Sequence, residues 1–172
     1  MINHIATFLW WHILIAYCLD LIIGDPLWFP HPARGIGWAI QQLEKWLKRG
    51  KAEKFFGCLL TLFIVGGTYS LAAGALYFAT RLHSYVGHAL SVIILWTTLA
   101  TKDLYVHSNQ VYKPLTQGDL PNARKMLSRI VGRDTDKLGE AEIVRATVET
   151  IAENVVDGIT APLFYAFLFG AP

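Results

Sequence analysis

Long stretches without charged side chains divide the chain into apolar and polar parts. Three of these stretches contain no Lys, Arg, Asp or Glu: residues 1–19, 55–80 and 82–101. A helix needs about 20 mostly apolar residues to cross a bilayer, and each stretch reaches that length. The pattern therefore predicts spans at about 3–23, 55–80 and 83–101, with the start of a fourth span at 159–172.

Composition agrees with a membrane class of protein. Hydrophobic residues make up 53% of the 172 positions and charged residues only 16%, whereas about a quarter of a soluble domain is charged. We predict an all-α, polytopic integral membrane protein with a single membrane domain over residues 1–172. Its polar regions, residues 24–54 and 102–158, form loops, and the second loop is mostly helical.

Basic residues are concentrated in these two polar regions. Residues 24–54 contain six Lys or Arg and residues 102–158 contain eight, while only Arg81 lies between the second and third spans. By the positive-inside rule, both basic regions are cytoplasmic and the N-terminus faces outward. Basic loops also occur in nucleic-acid-binding proteins. Orientation and anionic lipid explain them here, so the expected partner is the bilayer and not a nucleic acid.

Two helices are predicted within residues 102–158. Asp119 is suited to cap the first helix, Pro121 falls in its first turn and Gly132 is its predicted end. The second helix begins near Gly139. At 100° per residue it has a polar face and an apolar face, and the apolar face consists of Val144, Val148, Ile151 and Val155.

The first candidate for chemistry is the segment LDLIIGDPLWFPHPARGIG, residues 19–37. Asp20 lies near the cytoplasmic end of the first span, where an acid usually faces a cavity or a partner. The following prolines cannot continue a helix, which predicts a stiff loop against the membrane that presents Asp25, His31 and Arg34. The alternative is an interfacial turn with capping residues.

Two further segments carry candidate groups. In RIVGRDT, residues 129–135, Arg129 and Arg133 lie on either side of a glycine turn, and arginine binds phosphate or carboxylate through two parallel hydrogen bonds. A solvated basic helix end is the alternative. In ETIAENVVDGITAP, residues 149–162, acids recur every fourth residue. Such acids repel each other unless a cation lies between them, so either a metal site or a solvated acidic face is possible.

Several nucleotide and hydrolase motifs are absent from the sequence. It contains no P-loop, no G-x-S-x-G elbow, no zinc signature and no dinucleotide fingerprint. Any nucleotide chemistry must therefore use another scaffold.

The three segments together, in their order and spacing, resemble the CobD/CbiB family of cobalamin biosynthesis, the adenosylcobinamide-phosphate synthases. The resemblance rests on LDLIIGDPLWFPHPARGIG, ARKMLSRIVGRDT and VETIAENVVDGITAPLFYAFLFGAP. It implies a multi-pass inner-membrane carbon–nitrogen ligase that joins adenosylcobyric acid to an aminopropanol phosphate in an ATP-dependent amide ligation. The implied co-substrate is ATP and the implied metal is Mg²⁺. The implied partners are the corrinoid, the amino-alcohol phosphate and other cobalamin-pathway enzymes at the membrane.

On this resemblance, we assign roles to individual residues as a hypothesis. The catalytic group consists of Asp25, His31, Glu149 and Glu153, with His31 as the leading general base. Substrate and phosphate are held by Arg34, Arg129, Arg133, Asp134 and Asn154. The metal ligands are Glu149, Glu153 and Asp157.

The resemblance implies that the chain is shorter than a whole synthase, and it leaves two alternative functions open. About the C-terminal half of such a synthase is missing, so we expect the chain to be an N-terminal fragment that is not active by itself. A first alternative is an AmpE-like membrane regulatory protein without ligase activity. A second is a transporter or an assembly component, although the charged residues lie in loops and not at the bilayer midplane, where transporters usually bind substrate.

Overall fold

The fold consists of helices throughout the part of the chain that the structure describes. The structure is a computed structural model, and it describes residues 2–26, 28–47 and 53–171, with no strand among them. The predicted all-α class is therefore confirmed. The elements, in chain order, are α1 Ile2–Ile23, α2 Pro32–Leu47, α3 Glu53–Leu82, α4 Ser84–Trp96, α5 Thr101–Thr116, α6 Leu120–Leu127, α7 Glu140–Val155, a π-helical turn Val156–Thr160, and α8 Ala161–Phe169.

Two helical stretches are long and apolar enough to cross a membrane. They are Lys54–Leu82 and Ser84–Thr116, and the second includes α4, the turn after it and α5. The apolar part of α1, Trp10–Ile23, is shorter. Helix α4 alone would rise only about 20 Å at 1.5 Å per residue. The arrangement of three spans, an incomplete fourth and cytoplasmic loops remains a prediction.

A first hydrophobic core joins α1, α4 and α8. Ala16 of α1, Trp96 at the end of α4 and Ala166 of α8 are all buried in it. Phe29, from the loop after α1, adds its ring to this core, with its centroid 5.1 Å from that of Trp96. This contact fixes the loop that carries Asp25 and His31 against the end of α4.

A second core lies among α5, α6 and α7. Its five buried side chains come from all three helices, and burying each large aliphatic side chain contributes about 1.5–3 kcal/mol. They are Val111, Ala123, Leu127, Ile143 and Ala146. This helical unit holds the segment RIVGRDT beside α7.

The region after α1 differs from its prediction. We expected a loop after the first span, from residue 24 onwards, that presents Asp25, His31 and Arg34. Instead α2 begins at Pro32, and Arg34 therefore lies in a first helical turn. The physical reason is that proline is favoured in the first turn, because its missing N–H would have no partner there in any case. Asp25 and His31 do lie in a non-helical segment, as predicted.

Helix α6 begins as predicted and ends early. The Asp119 side chain accepts the N–H of Asn122, 3.1 Å away, and thereby caps the helix. The helix ends at Leu127 and not at Gly132, because the N–H groups of Arg129 and Ile130 bond to carbonyls three residues back and tighten the chain into turns.

Helix α7 begins where we predicted, with Gly139 as its N-cap. The apolar side that we predicted is not the buried side of the helix: Val144, Val148 and Val155 are exposed, whereas Ile143 and Ala146 are buried. The neighbours α5 and α6 contact α7 through these two residues.

Candidate functional site

The first turn of α5 is the point where the predicted segments meet. The first N–H groups of a helix have no partner within the helix, and here two of them are satisfied by distant parts of the chain. The N–H of Thr101 donates to Oδ2 of Asp20 over 2.7 Å. The N–H of Ala100, one residue earlier, donates to the carbonyl oxygen of Gly158 over 3.0 Å.

Asp20 is fully buried, with 0% of its surface exposed. Its second carboxylate oxygen, Oδ1, has no hydrogen-bond partner among the described residues. The expectation that this acid would have a partner is met by the N–H of Thr101. Because the carboxylate lies at the N-terminus of α5, the helix dipole also stabilises its negative charge.

The sequence explains why the carbonyl of Gly158 can accept from Ala100. In a regular helix it would accept the N–H of the residue four positions on, but that residue is Pro162, which has no N–H. The chain widens here into the π-helical turn Val156–Thr160. Turns of this type inside helices often occur at functional sites, and this one carries Asp157 next to the start of α5.

Lys102 makes the reciprocal contact to α1. Its ammonium group donates to the carbonyls of Ile22 and Ile23 at 2.5 and 3.1 Å, at the end of α1. A cation at a helix C-terminus is stabilised by the helix dipole. Gly24 ends α1 in the left-handed region, with φ +66°. A Cβ at this position would lie 2.8 Å from Cδ of Lys102, so glycine is required for this approach.

Asp25 and His31 lie together in the loop after α1. Nε2 of His31 is 3.2 Å from Oδ1 of Asp25, and Nδ1 of His31 accepts the N–H of Ala33 over 3.2 Å. The neutral ring therefore carries its proton on Nε2, facing the carboxylate. Burial raises the pKa of Asp25, and the nearby carboxylates of Asp103 and Asp20 raise it further, while His31 opposes the shift.

The third predicted residue of this region, Arg34, is exposed on α2. Its guanidinium donates to the carbonyl of Phe29 over 2.5 Å. This bond ties the first turn of α2 to the loop that carries Asp25 and His31, so one role of Arg34 is to hold that loop.

The RIVGRDT segment and the residues that follow it are held to α6 by two bonds. The buried Thr135 hydroxyl donates to the carbonyl of Arg124 over 3.1 Å. Nε of Arg124 in turn donates to the carbonyl of Leu138 over 2.8 Å. Asp134, which we predicted to bind substrate, accepts the N–H of Asp136 over 3.0 Å in a local turn. The loop therefore presents Arg133 from a fixed backbone.

Glu149 joins two arginines. Its Oε2 accepts from Nη2 of Arg133 over 3.1 Å, and its Oε1 accepts from Nε of Arg145 over 2.7 Å. These hydrogen bonds, first that of Arg145 and then that of Arg133, lower the pKa of Glu149. At neutral pH the carboxylate is therefore charged and holds Arg133 beside α7.

A polar cleft of about 310 Å³ opens next to this pair. The cleft is lined by the turn that precedes Arg133 and by four of the predicted site residues. These four are Arg133, Glu149, Glu153 and Asn154. Asn154 donates its amide N–H to the carbonyl of Thr150 over 2.8 Å, which leaves its Oδ1 available to a ligand.

Other predicted residues lie outside this cleft. Arg129 is exposed in the turn after α6, Asp157 lies on the π-helical turn, and neither lines the cleft. Within residues 2–26, 28–47 and 53–171, no three His, Cys, Asp or Glu side chains are arranged to hold a metal ion. Both oxygens of Glu149 accept from arginines, and Asp157 lies outside the cleft that Glu149 and Glu153 line. The roles that we assigned to these residues remain predictions.

A second groove, of about 290 Å³, lies between α5 and α7. It is mostly apolar and is lined by Tyr105, Tyr112, Val144 and Val148 among others. None of the predicted site residues lines it. We place the candidate site at the polar cleft and the first turn of α5, because the groups that can hold an anion or accept a proton lie there.

Several supporting residues were missed from the sequence. Lys102 had a signal, because it is the first charge after a long apolar stretch, and a lysine there can reach a helix end. Thr101, Arg124 and Thr135 had none, since their bonds join residues that are 11 to 81 positions apart.

A family model and several curated relatives match this chain. The model of the family described as CobD/Cbib protein matches residues 13–172. The cobalamin biosynthesis protein CobD of Leptospira interrogans is 45% identical over 163 residues, which cover 94% of this chain and 51% of that protein. CobD of Geobacter metallireducens is 47% identical over 161 residues, covering 93% and 51%.

The cobalamin biosynthesis protein CbiB of Salmonella typhimurium is 46% identical over 162 residues, which cover 92% of this chain and 51% of that protein. The chain thus spans about half the length of the curated relatives it matches. No solved structure matches the chain.

Proposed function

Because the chain belongs to the CobD/CbiB family, we propose that it acts in cobalamin biosynthesis as part of an adenosylcobinamide-phosphate synthase. The proposed reaction is the ATP-dependent amide ligation of adenosylcobyric acid with an aminopropanol phosphate. The proposed location is the inner membrane, with three spans, an incomplete fourth, and residues 24–54 and 102–158 in the cytoplasm, where ATP is available. Other enzymes of the pathway at the membrane are further proposed partners.

The observation that carries the proposal is the polar cleft with Arg133 at its edge. Arg133 is oriented by Glu149 and has further N–H donors, so it can bind a phosphate oxygen while keeping this contact. Both ATP and the amino-alcohol phosphate bring phosphate groups. An oriented arginine beside an open polar cleft is the arrangement that such ligands require.

The chemistry has two steps. First, a carboxylate oxygen of adenosylcobyric acid attacks the γ-phosphorus of ATP, the bond to ADP breaks, and an acyl phosphate forms. Second, the amine nitrogen of the aminopropanol phosphate attacks the acyl carbon, phosphate leaves, and one proton is released from the nitrogen. Catalysis thus needs groups that hold phosphates in place and one group that accepts a proton.

The geometry favours Asp25 over His31 as this proton acceptor. Nδ1 of His31 accepts the N–H of Ala33 and its Nε2–H faces Asp25, so the neutral ring has no free lone pair. Asp25 has a raised pKa, which makes its carboxylate a stronger base. We propose that Asp25 accepts the proton and that His31 orients it.

Mg²⁺ is proposed as the metal that accompanies ATP. The donor set fits a metal ion held by one or two carboxylates and by the phosphate oxygens of the nucleotide, which is the usual arrangement for Mg²⁺. Glu153 and Asn154 would hold it, since Glu149 is engaged by arginines. When bound, the metal would neutralise charge on the transferring phosphoryl group.

A growth assay tests the proposed function. A bacterium whose own CobD or CbiB gene is deleted should grow with cobinamide but not with cobyric acid. The complete reading frame that contains residues 1–172 should restore growth on cobyric acid, and membranes from those cells should form adenosylcobinamide phosphate from its substrates and ATP. Failure to restore growth, with the protein detected in the membrane, would contradict the proposal.

Substitutions in the cleft test the assigned roles. Arg133→Gln should weaken ATP or amino-alcohol phosphate binding by about 10-fold or more, because a hydrogen bond to a charged group contributes about 1.5–3 kcal/mol. Arg145→Gln is the matched control, because Arg145 also binds Glu149 but does not line the cleft. Glu153→Ala should lower the rate of product formation with the protein still inserted. Equal effects of Arg133→Gln and Arg145→Gln would argue against phosphate binding at Arg133.

The AmpE-like alternative receives no support from the relatives described above, which carry the names CobD and CbiB. A regulatory protein without ligase activity would also leave growth on cobyric acid unrestored in the same assay.

A further inference from the structure

Helix α2 is amphipathic, and one of its faces is only partly covered by the rest of the protein. At 100° per residue, Ile36, Ile40, Leu43 and Trp46 fall on one side of the helix. Arg34, Trp38 and Lys45 fall on the opposite side. Helix α2 packs against α3, and Ile36 and Leu43 are partly buried. Trp46 is nevertheless 80% exposed, and Ile40 is also exposed.

The charge around this helix restricts what can cover its apolar face. Residues 32–54 contain six Lys or Arg and only two Glu, so the region attracts an anionic surface. A helix with an apolar face, a basic polar side and a tryptophan on its apolar face has the features of a helix that lies in the plane of a membrane interface. Tryptophan is enriched at that depth.

The position of α2 along the chain also places it at the membrane interface. Helix α2 lies between the apolar part of α1, Trp10–Ile23, and the span candidate Lys54–Leu82. A segment of about 30 residues that leaves and re-enters the same side of a bilayer stays near its surface, and 16 helical residues rise about 24 Å. In this position α2 would also hold Arg34 and the Asp25–His31 loop at the membrane surface.

From these observations we propose that α2 is an interfacial helix whose apolar face, defined by Ile36, Ile40, Leu43 and Trp46, lies on the anionic cytoplasmic leaflet of the bilayer. The proposal rests on the proposed membrane location of the chain. Trp38 lies on the opposite, polar side, 64% exposed, and is not part of this surface. The two tryptophans therefore form a matched pair with opposite expected surroundings.

The test uses the full chain in vesicles of phosphatidylcholine and phosphatidylglycerol. Cys18 and Cys58 are replaced by Ser, and an environment-sensitive fluorophore is attached to one cysteine in each of three variants: Trp46→Cys, Trp38→Cys and Val65→Cys. Val65 is an exposed residue in the middle of α3 and reports insertion. Quenching by lipids with brominated acyl chains is then measured. All three side chains are exposed, so labelling disturbs little packing.

We expect strong quenching at Val65 and quenching at Trp46 at least about threefold stronger than at Trp38, because such a helix is buried about 5–10 Å on its apolar side. The difference should decrease when phosphatidylglycerol is omitted. Quenching at Val65 with equal values at Trp46 and Trp38 would overturn the interfacial helix and leave the membrane location intact. No quenching at Val65 would overturn the membrane location, and the helix would lose its proposed partner.

Discussion

At the scale of single residues, two glycines share a positive φ but have different surroundings. Gly24 and Gly118 have φ of +66° and +75°, a region that costs an L-residue about 1–2 kcal/mol. A Cβ at Gly118 would meet nothing within 4 Å, whereas one at Gly24 would collide with Lys102. Only Gly24 therefore combines a backbone requirement with a close approach.

Substitution by alanine separates these two requirements. Gly118→Ala should lower the free energy of unfolding by about 1–2 kcal/mol through its backbone alone. Gly24→Ala should cost more, because Lys102 must move and its bonds to the carbonyls of Ile22 and Ile23 would be lost. Reversible unfolding of both variants in detergent micelles measures the difference. Equal losses would show that the contact with Lys102 contributes nothing.

The raised pKa of Asp25 predicts a pH dependence of stability. Burial is the main cause of the shift, so the folded protein binds a proton more tightly at Asp25 than the unfolded chain does. The contribution of this group to stability is therefore fully present below the pKa of the unfolded chain, near 3.9. It is lost as the pH rises through the higher pKa of the folded state.

Asp25→Asn removes this titration. The stability of the wild type relative to Asp25→Asn should be greatest below about pH 3.9 and should fall towards pH 7. Unfolding midpoints of both proteins measured across this range give the difference, with His31→Gln as a control for the opposing effect of His31. A difference that increases with pH would contradict the assignment of burial as the main cause.

At the scale of elements, α1 and α5 cap each other. Asp20 of α1 accepts from the first turn of α5, and Lys102 of α5 donates to the last turn of α1. Each helix end thus satisfies the open polar groups of the other. The Asp20 contact is buried, and a buried N–H without a partner costs about 1–3 kcal/mol.

Because the Asp20 cap is buried, its loss should cost more than the loss of an exposed cap. Asp20→Ala should destabilise the protein by about 1–3 kcal/mol, whereas Asp20→Asn should cost less because its side-chain oxygen can still accept from Thr101. Asp119→Ala, which removes the exposed cap of α6, is the control and should cost about 1 kcal/mol. Hydrogen exchange at the amide of Thr101 measures the local effect. Slow exchange in Asp20→Ala would refute the capping role.

The start of α6 and the start of α7 were predictable because their caps are local. Asp119 bonds to a residue three positions away, and Glu142 accepts the N–H of Gly139 over 2.7 Å. The buried face of α7 was not predictable in this way. Its sequence offers two apolar sides, and the contacts of α5 and α6 select the side with Ile143 and Ala146, where a small residue permits close packing.

Helix α2 was missed although its pattern was present. Ile36, Ile40 and Leu43 follow helical spacing, but the prolines at positions 30 and 32 suggested a loop. Pro32 instead begins the helix.

For the π-helical turn, the local signal is Pro162, which leaves the carbonyl of Gly158 without a donor four residues further along the helix. Its partner, Ala100, lies 58 positions earlier and could not be identified from the local sequence.

At the scale of the whole molecule, the two cores meet at the first turn of α5. One core holds α1, α4 and α8, and the other holds α5, α6 and α7. Thr101, the first residue of α5, bonds to the first predicted block through Asp20, and Ala100, its N-cap, bonds to the third block through Gly158. That these blocks act together remains a prediction. The bonding at this turn brings parts of them close to each other through contacts across 58 and 81 positions.

The distribution of basic residues predicts how the whole chain lies in a membrane. If residues 24–54 and 102–158 are cytoplasmic, the turn after Arg81 is outside. Single cysteines in a chain without Cys18 and Cys58 test this with a membrane-impermeant maleimide on intact cells. Suitable positions are Ser84, Gly35 and Lys137, all of which are exposed.

Ser84→Cys should be labelled in intact cells, whereas Gly35→Cys and Lys137→Cys should be labelled only after the cells are permeabilised. Labelling of all three after permeabilisation is the control for reactivity. The reverse pattern would mean that the chain is inverted, which would put the polar cleft with Arg133 on the side without ATP and contradict the proposed ligation. Labelling of all three in intact cells would mean that no bilayer separates them, and the predicted spans would be wrong.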